Sequence, residues 1–205
     1  MDRKRSPRII VSGNSNEGLA FYLKQKVSGE FFSRSNGFDL TIPSNQKRFA
    51  QLSLDFDVFI NCSSLEGFSQ TLLLREVFHK WKEKGHKGYI INIGSTCVDR
   101  LNSTDNLYPI EKISLRDYSR NLSRTALGRQ LGTPPSGIRV THISPGAMQT
   151  EGAAHESLSK IDPAYVADLI VWLMQQPEGV NINEISLDAI QPPMVEASTH
   201  QSPYV

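Results

Sequence analysis

Short runs of branched and aromatic residues alternate along this chain with longer stretches whose apolar positions recur at helical spacing. Arg8–Gly13 (RIIVSG), Glu30–Ser33 (EFFS), Asp57–Asn61 (DVFIN), Tyr89–Ile93 (YIINI), Ile138–Ile143 (IRVTHI) and Asn181–Leu187 (NINEISL) are predicted strands. A further strand of three residues is predicted at Asp39–Thr41. Between them the pattern predicts helices. One covers Glu17–Val27, with Leu19, Tyr22, Leu23 and Lys26 on one side and Gly29 beyond its end. A brief one is capped by Ser44 and reaches Leu52. A third covers Ser69–Lys84 and stops at Gly85, and a fourth runs from Pro109 to about Leu131. The last opens at Asp162-Pro163, carries the stripe Val166, Leu169, Ile170, Leu173, and stops before Pro177. Strand–helix alternation over the whole length implies βαβ units, hence a mostly parallel sheet with helices on both faces. Residues 1–190 are expected to form one domain, followed by a Pro-, Ser- and Gln-containing tail at 191–205. Phe21, Trp81, Trp172 and Met174 are read as core or interface.

Composition narrows the picture. The chain has 205 residues, enough for one domain with a sizeable core. Twenty-two basic residues against 21 acidic give a net charge of +1, which removes a global basic field for nucleic acid. No apolar run approaches the roughly 18–20 residues of a membrane span, and IIVSG after the basic N-terminus is too short for a signal-peptide core. Two cysteines make no disulfide framework, so a reducing cytoplasm is expected, in which the sequons at Asn102 and Asn121 go unused. The five histidines have no metal-ligand spacing, and no metal is expected.

In such sheets ligands bind beyond the carboxyl ends of the strands. The first of these loops, Ser12-Gly-Asn-Ser-Asn-Glu-Gly-Leu-Ala20, opens a helix whose N-terminus favours a phosphate. Glu17 suits the helix dipole but repels a pyrophosphate, so it is expected to point outward. After the second strand comes Ser33-Arg34-Ser35. An acid here would take a ribose 2′-hydroxyl, whereas an arginine holds a 2′-phosphate, which favours NADP over NAD; a solvated surface arginine is the bland alternative.

Ser95 ends a central strand, and Tyr108 and Lys112 open the following helix at i and i+4, where they share a face. An adjacent ammonium favours phenolate and is expected to pull the tyrosine pKa down. The tyrosine then exchanges a proton with a carbonyl or alcohol oxygen, and the serine hydroxyl fixes that oxygen in place.

Ser95 followed by Tyr108-Pro-Ile-Glu-Lys112 resembles the signature of the short-chain dehydrogenases/reductases. Other segments agree in order. Asn61-Cys-Ser-Ser64 resembles the family's Asn-Asn-Ala-Gly, Gly137-Ile-Arg-Val-Thr-His-Ile-Ser-Pro-Gly146 its Gly-Ile-Arg-Val-Asn…Pro-Gly, and Pro145-Gly-Ala-Met-Gln-Thr150 its Pro-Gly-x-x-x-Thr. Val180–Ile185 resembles the last strand of NADP-dependent members acting on hydroxy acids or small carbonyls. The resemblance implies a Rossmann-type doubly wound parallel sheet, three-layer α/β/α, over about residues 8–190. It implies Ser95, Tyr108 and Lys112 as catalytic residues of reversible hydride transfer between NADP(H) and a carbonyl/alcohol pair. By the same resemblance Gly13, Asn14, Ser15, Asn16, Gly18 and Leu19 form the phosphate loop. Arg34 and Ser35 hold the 2′-phosphate, Asp39 and Leu40 flank the adenine, and Asn61, Cys62 and Ser63 support the adenosine side. Lys112 binds the nicotinamide ribose, Tyr108 lies beside it, Pro145, Gly146 and Met148 lie along the nicotinamide, and Thr150 bonds its carboxamide. Family members are homodimers or homotetramers joined through the two long helices.

The chain also departs from the family. The glycine loop is one residue short and lacks its middle glycine, the segment from Arg34 to Asn61 is compressed, and the loop after Thr150, with His155, is a short lid. The family's fourth catalytic residue, an asparagine in the helix before the serine strand that holds a water linking the lysine to solvent, has no counterpart at Gly67, Phe68 or Ser69. These departures support a rival reading, a catalytically weak dinucleotide-binding sensor or scaffold. A second rival, nucleic-acid binding, rests on Arg116, Arg120 and Arg124 along one helix. Such a stripe is usually a solvated face, here beside Asp117. Cys97 lies close enough to Ser95 in sequence to border the site.

Overall fold

The computed structural model describes residues 5–99, 106–130, 132–150 and 159–191. The expected lid at 151–157 with His155, the Asn102 sequon, Leu131 and the tail from 192 onward lie outside the described residues. Six strands, β1 (Ile9–Ser12), β2 (Gly29–Phe32), β3 (Val58–Asn61), β4 (Tyr89–Ile93), β5 (Arg139–Pro145) and β6 (Glu184–Leu187), form one sheet in the order β2-β1-β3-β4-β5-β6. Every neighbouring pair is parallel. β1, β3 and β4 are buried along their whole length, which is why they read as continuous apolar runs without alternation.

Among the described residues, five helices cover the sheet. One face carries α2 (Pro43–Leu52), α3 (Ser69–Glu83) and α4 (Tyr108–Ala126), packed through Phe49, Leu73, Leu74, Val77, Phe78, Trp81 and Leu115 on Ile10, Phe59, Ile90 and Val140. The other carries α1 (Gly18–Lys26) and α5 (Pro163–Met174), packed through Leu19, Leu23, Val166, Ala167, Ile170 and Leu173 on Val11, Ile60, Ile91 and Ile143. The doubly wound three-layer α/β/α architecture is therefore as expected. Trp81 is core, its indole N–H donating to Ser53 at 2.8 Å, whereas Phe21 and Trp172 stand about half exposed.

Three local expectations are corrected. Asp39–Thr41 is a turn: the Asp39 carboxylate accepts from both the backbone N–H (3.0 Å) and the hydroxyl (2.6 Å) of Thr41. That local competition closes the backbone before it can pair with a strand. Ser44 does not cap α2; Pro43 occupies the first turn and Ile42 the cap position. The long helix α4 ends at Ala126, short of the expected Leu131, because Gly128 turns left-handed (φ 67°). The Gly128 and Arg129 N–H groups then bond the Thr125 and Arg124 carbonyls, a Schellman ending. Asp162 is the cap expected for α5, accepting from the Ala164 N–H at 2.8 Å.

The chain leaves β1 for β2 and then recrosses to β3 on the other side of β1. That reversal opens a crevice at the carboxyl ends of β1 and β3.

Candidate active site

A cleft of about 370 Å³ occupies that crevice. Of the residues expected at a dinucleotide, it is lined by Gly13, Asn14, Gly18, Leu19, Arg34, Ser35, Leu40, Cys62, Ser63, Met148 and Thr150. Gly13 is needed for packing: a Cβ there would meet the Ala20 Cβ at 2.9 Å. Ser15 and Asn16 do not line the cleft; they sit at the loop tip, with the Asn16 N–H bonded to Asn14 Oδ1. Asp39 is spent on its own turn. Asn61 is fully buried below the cleft, Pro145 is buried in β5, and Gly146 packs against Asp188. Glu17 is an exposed residue that borders the cleft, and its carboxylate accepts from Asn14 Nδ2 at 2.7 Å. The side chains of Phe38 and Leu65 complete the apolar wall.

Ser95, Tyr108 and Lys112 come together beyond the end of β4, although they do not line this cleft. Ser95 lies close enough to Tyr108 to act on its ionisation, and Lys112 Nζ lies 5.3 Å from the centre of the Tyr108 ring. Tyr108 is 39% exposed and Lys112 only 5%. Cys97, which follows β4, lies near both.

The electrostatics overturn one expectation. Burial raises the Tyr108 pKa above the usual phenol value, Cys97 adds to the rise, and the nearby Ser95 hydroxyl opposes it. Lys112 does not pull it down. Burial lowers the Lys112 pKa itself to about 8, against the attraction of Cys97, Cys62 and Glu111. The ammonium gives a hydrogen bond to Gln70 Oε1 at 2.6 Å.

Gln70 was not among the expected site residues. It follows Ser69 at the start of α3, and a lone glutamine has no sequence signal that would single it out. Around it lies a buried polar row: Ser12 donates to Asn61 Oδ1 (3.1 Å), and Asn61 Nδ2 donates to Asn92 Oδ1 (3.0 Å). Two arginines of the stripe on α4 are paired: Arg116 with Asp99 (2.8 Å) and Asp117, Arg120 with Glu184 (2.6 Å) and Asp117.

The chain is 30% identical over 107 residues to an uncharacterized oxidoreductase of Staphylococcus epidermidis, a match covering 51% of this chain and 44% of that protein. It is 26% identical over 131 residues to the NADP-dependent 3-hydroxy acid dehydrogenase YdfG of Salmonella typhi, covering 57% and 50%. It thus spans about half the length of these curated relatives. Among solved structures, a short-chain dehydrogenase from Burkholderia cenocepacia in complex with NADP superposes with a TM-score of 0.66 at 17% identity, covering 88% of each chain. The chain resembles the short-chain dehydrogenases/reductases in sequence and in fold. A short-chain dehydrogenase from Leptospira borgpetersenii with bound NAD+ superposes with a TM-score of 0.65 at 20% identity, over 88% of this chain and 91% of that one. Short-chain dehydrogenases solved with bound dinucleotides thus share this fold. No family model matches the chain.

Proposed function

We propose that this chain is an NADP-dependent short-chain oxidoreductase, transferring hydride reversibly between NADP(H) and a small carbonyl/alcohol substrate. The observation that carries the reading is the meeting of Ser95, Tyr108 and Lys112, with Lys112 Nζ 5.3 Å from the centre of the Tyr108 ring, next to a cleft at the strand ends. The donor set suits a phosphorylated dinucleotide. Arg34 stands between Ser33 and Ser35, whose hydroxyls are 2.7 Å apart, at one end of the cleft. An arginine flanked by hydroxyls matches a 2′-phosphate, and Gly13 and Asn14 offer a close approach to the pyrophosphate. When bound, the cofactor supplies or accepts the hydride. Tyr108 Oη gives its proton to the carbonyl oxygen of a substrate, and Ser95 Oγ bonds the same oxygen and holds it in line. Lys112 binds the nicotinamide ribose and returns a proton towards the phenol. A phenol held protonated by burial suits the donor role, hence carbonyl reduction at neutral pH. The two free cysteines fit a reducing cytoplasm.

Thermal shift with NADP, NAD and no cofactor, followed by a carbonyl screen, tests the reading. NADP is expected to raise the melting temperature most, and Tyr108→Phe is expected to lose turnover while keeping that shift. Full turnover by Tyr108→Phe refutes Tyr108 as the acid. The rival reading, a dinucleotide-binding sensor or scaffold, is favoured by one observation: Glu17, with its negative charge, borders the cleft beside the loop where phosphates would pass. NADP stabilisation without turnover on any carbonyl would establish it.

A further inference from the structure

Gln70 is 4% exposed, at the second position of α3. Its side-chain nitrogen donates to two backbone carbonyls, Asn61 at 3.0 Å and Ile93 at 2.9 Å, at the ends of β3 and β4. These bonds use both amide protons, so the remaining atom, Oε1, must face away from the strands as an acceptor. It accepts from Lys112 Nζ at 2.6 Å, across 42 residues of chain. Gln70 is itself fixed, since its own carbonyl accepts from Asn61 Nδ2 at 3.1 Å. The lysine is thus tied to the two central strands through one side-chain amide.

We propose that Gln70 is a positioning residue of this site: its amide oxygen holds the Lys112 ammonium beneath the Tyr108 ring and favours the charged form of a buried lysine. The catalytic meaning of this tie rests on the function proposed above; the tie itself does not. A buried ammonium without a partner loses its proton. The titratable groups facing Lys112 offer little compensation. Tyr108 and Glu111 share its helix, Cys62 follows β3, Cys97 follows β4, and His142 lies on β5. Burial pushes the Cys62 thiol up to about 12 and His142 down to about 3, so both are neutral. The Glu111 carboxylate is taken by the Gly67 N–H at 2.9 Å. A neutral amide acceptor therefore supplies the close hydrogen bond, and it leaves the lysine near its working pH where a carboxylate would lock it charged.

The test is an NMR titration of the Lys112 side-chain carbons, assigned by Lys112→Met, together with the pH profile of kcat for carbonyl reduction. In Gln70→Met the lysine midpoint is expected to fall by about one pH unit, a tenfold change in its proton affinity. In Gln70→Glu it is expected to rise. The alkaline limb of kcat should move in the same direction as the midpoint. A residue that only props up the fold would lower the melting temperature and leave the midpoint where it was; that result, in either folded variant, overturns the proposal. The wild-type protein gives a check that needs no variant: the Gln70 side-chain amide resonances should titrate with the Lys112 midpoint, and their insensitivity would refute the contact. If the wild-type protein turns over no carbonyl, the functional reading falls while these titrations still decide the role of Gln70.

Discussion

At Tyr108 burial raises the phenol pKa, Cys97 adds to the rise, and Ser95 opposes it. The sequence places Tyr108 and Lys112 on one helical face. It does not say that the ammonium will spend its hydrogen bond on Gln70, 2.6 Å away, instead of on the phenol. Similar single-residue competitions govern the cleft. Arg34 is exposed at its rim, so Arg34→Ala should weaken NADPH by about tenfold, the loss of one charge-assisted contact, and leave NADH unchanged. Equilibrium titration of the two cofactors measures this. Glu17→Gln removes a negative charge from the border of the cleft and should tighten both, by the same measurement. Gly94 is fixed by packing: a Cβ there would run into the His142 ring. Gly94→Ala should therefore cost about 1–3 kcal/mol by overpacking, read as a lower melting midpoint in urea.

Among the elements, boundaries set by local chemistry were the most legible. The Asp162-Pro163 start of α5 follows from an N-cap carboxylate and a first-turn proline, and Asp162→Ala should cost about 1 kcal/mol of stability in urea melts. The end of α4 was harder. Its apolar periodicity continues to Leu127, but Gly128, whose would-be Cβ meets Pro135 Cδ at 3.0 Å, stops the helix. Asp39–Thr41 shows the opposite error. Three residues cannot establish a period of two, and the aspartate folded the backbone onto itself.

For the whole molecule, the sheet register puts Ser12, Asn61, Asn92, His142 and Glu184 in one line across five strands. The first four are fully buried. His142 in that row is held neutral chiefly by burial, and Lys112, Arg116 and Arg120 add to the effect against Asp117. Its folded pKa of about 3 lies below the ordinary 6.5. The unfolded chain therefore binds the proton first as pH falls. The stabilisation from neutral His142 is complete above about 6.5 and is lost progressively between 6.5 and about 3. Thermal melts across that range should show stability falling with pH, and His142→Val should flatten the slope.

The sequence by itself determined the layered α/β class, because periodicity distinguishes a buried strand from an amphipathic helix over short windows. It also determined the spacing of Ser95, Tyr108 and Lys112, since one helical turn brings i and i+4 together wherever the helix lies. Only the tertiary structure decided that Gln70 meets Lys112 and that His142 lies against Gly94. Each of these depends on strand order and register, which bring distant residues within hydrogen-bond range and leave no periodic trace along the chain.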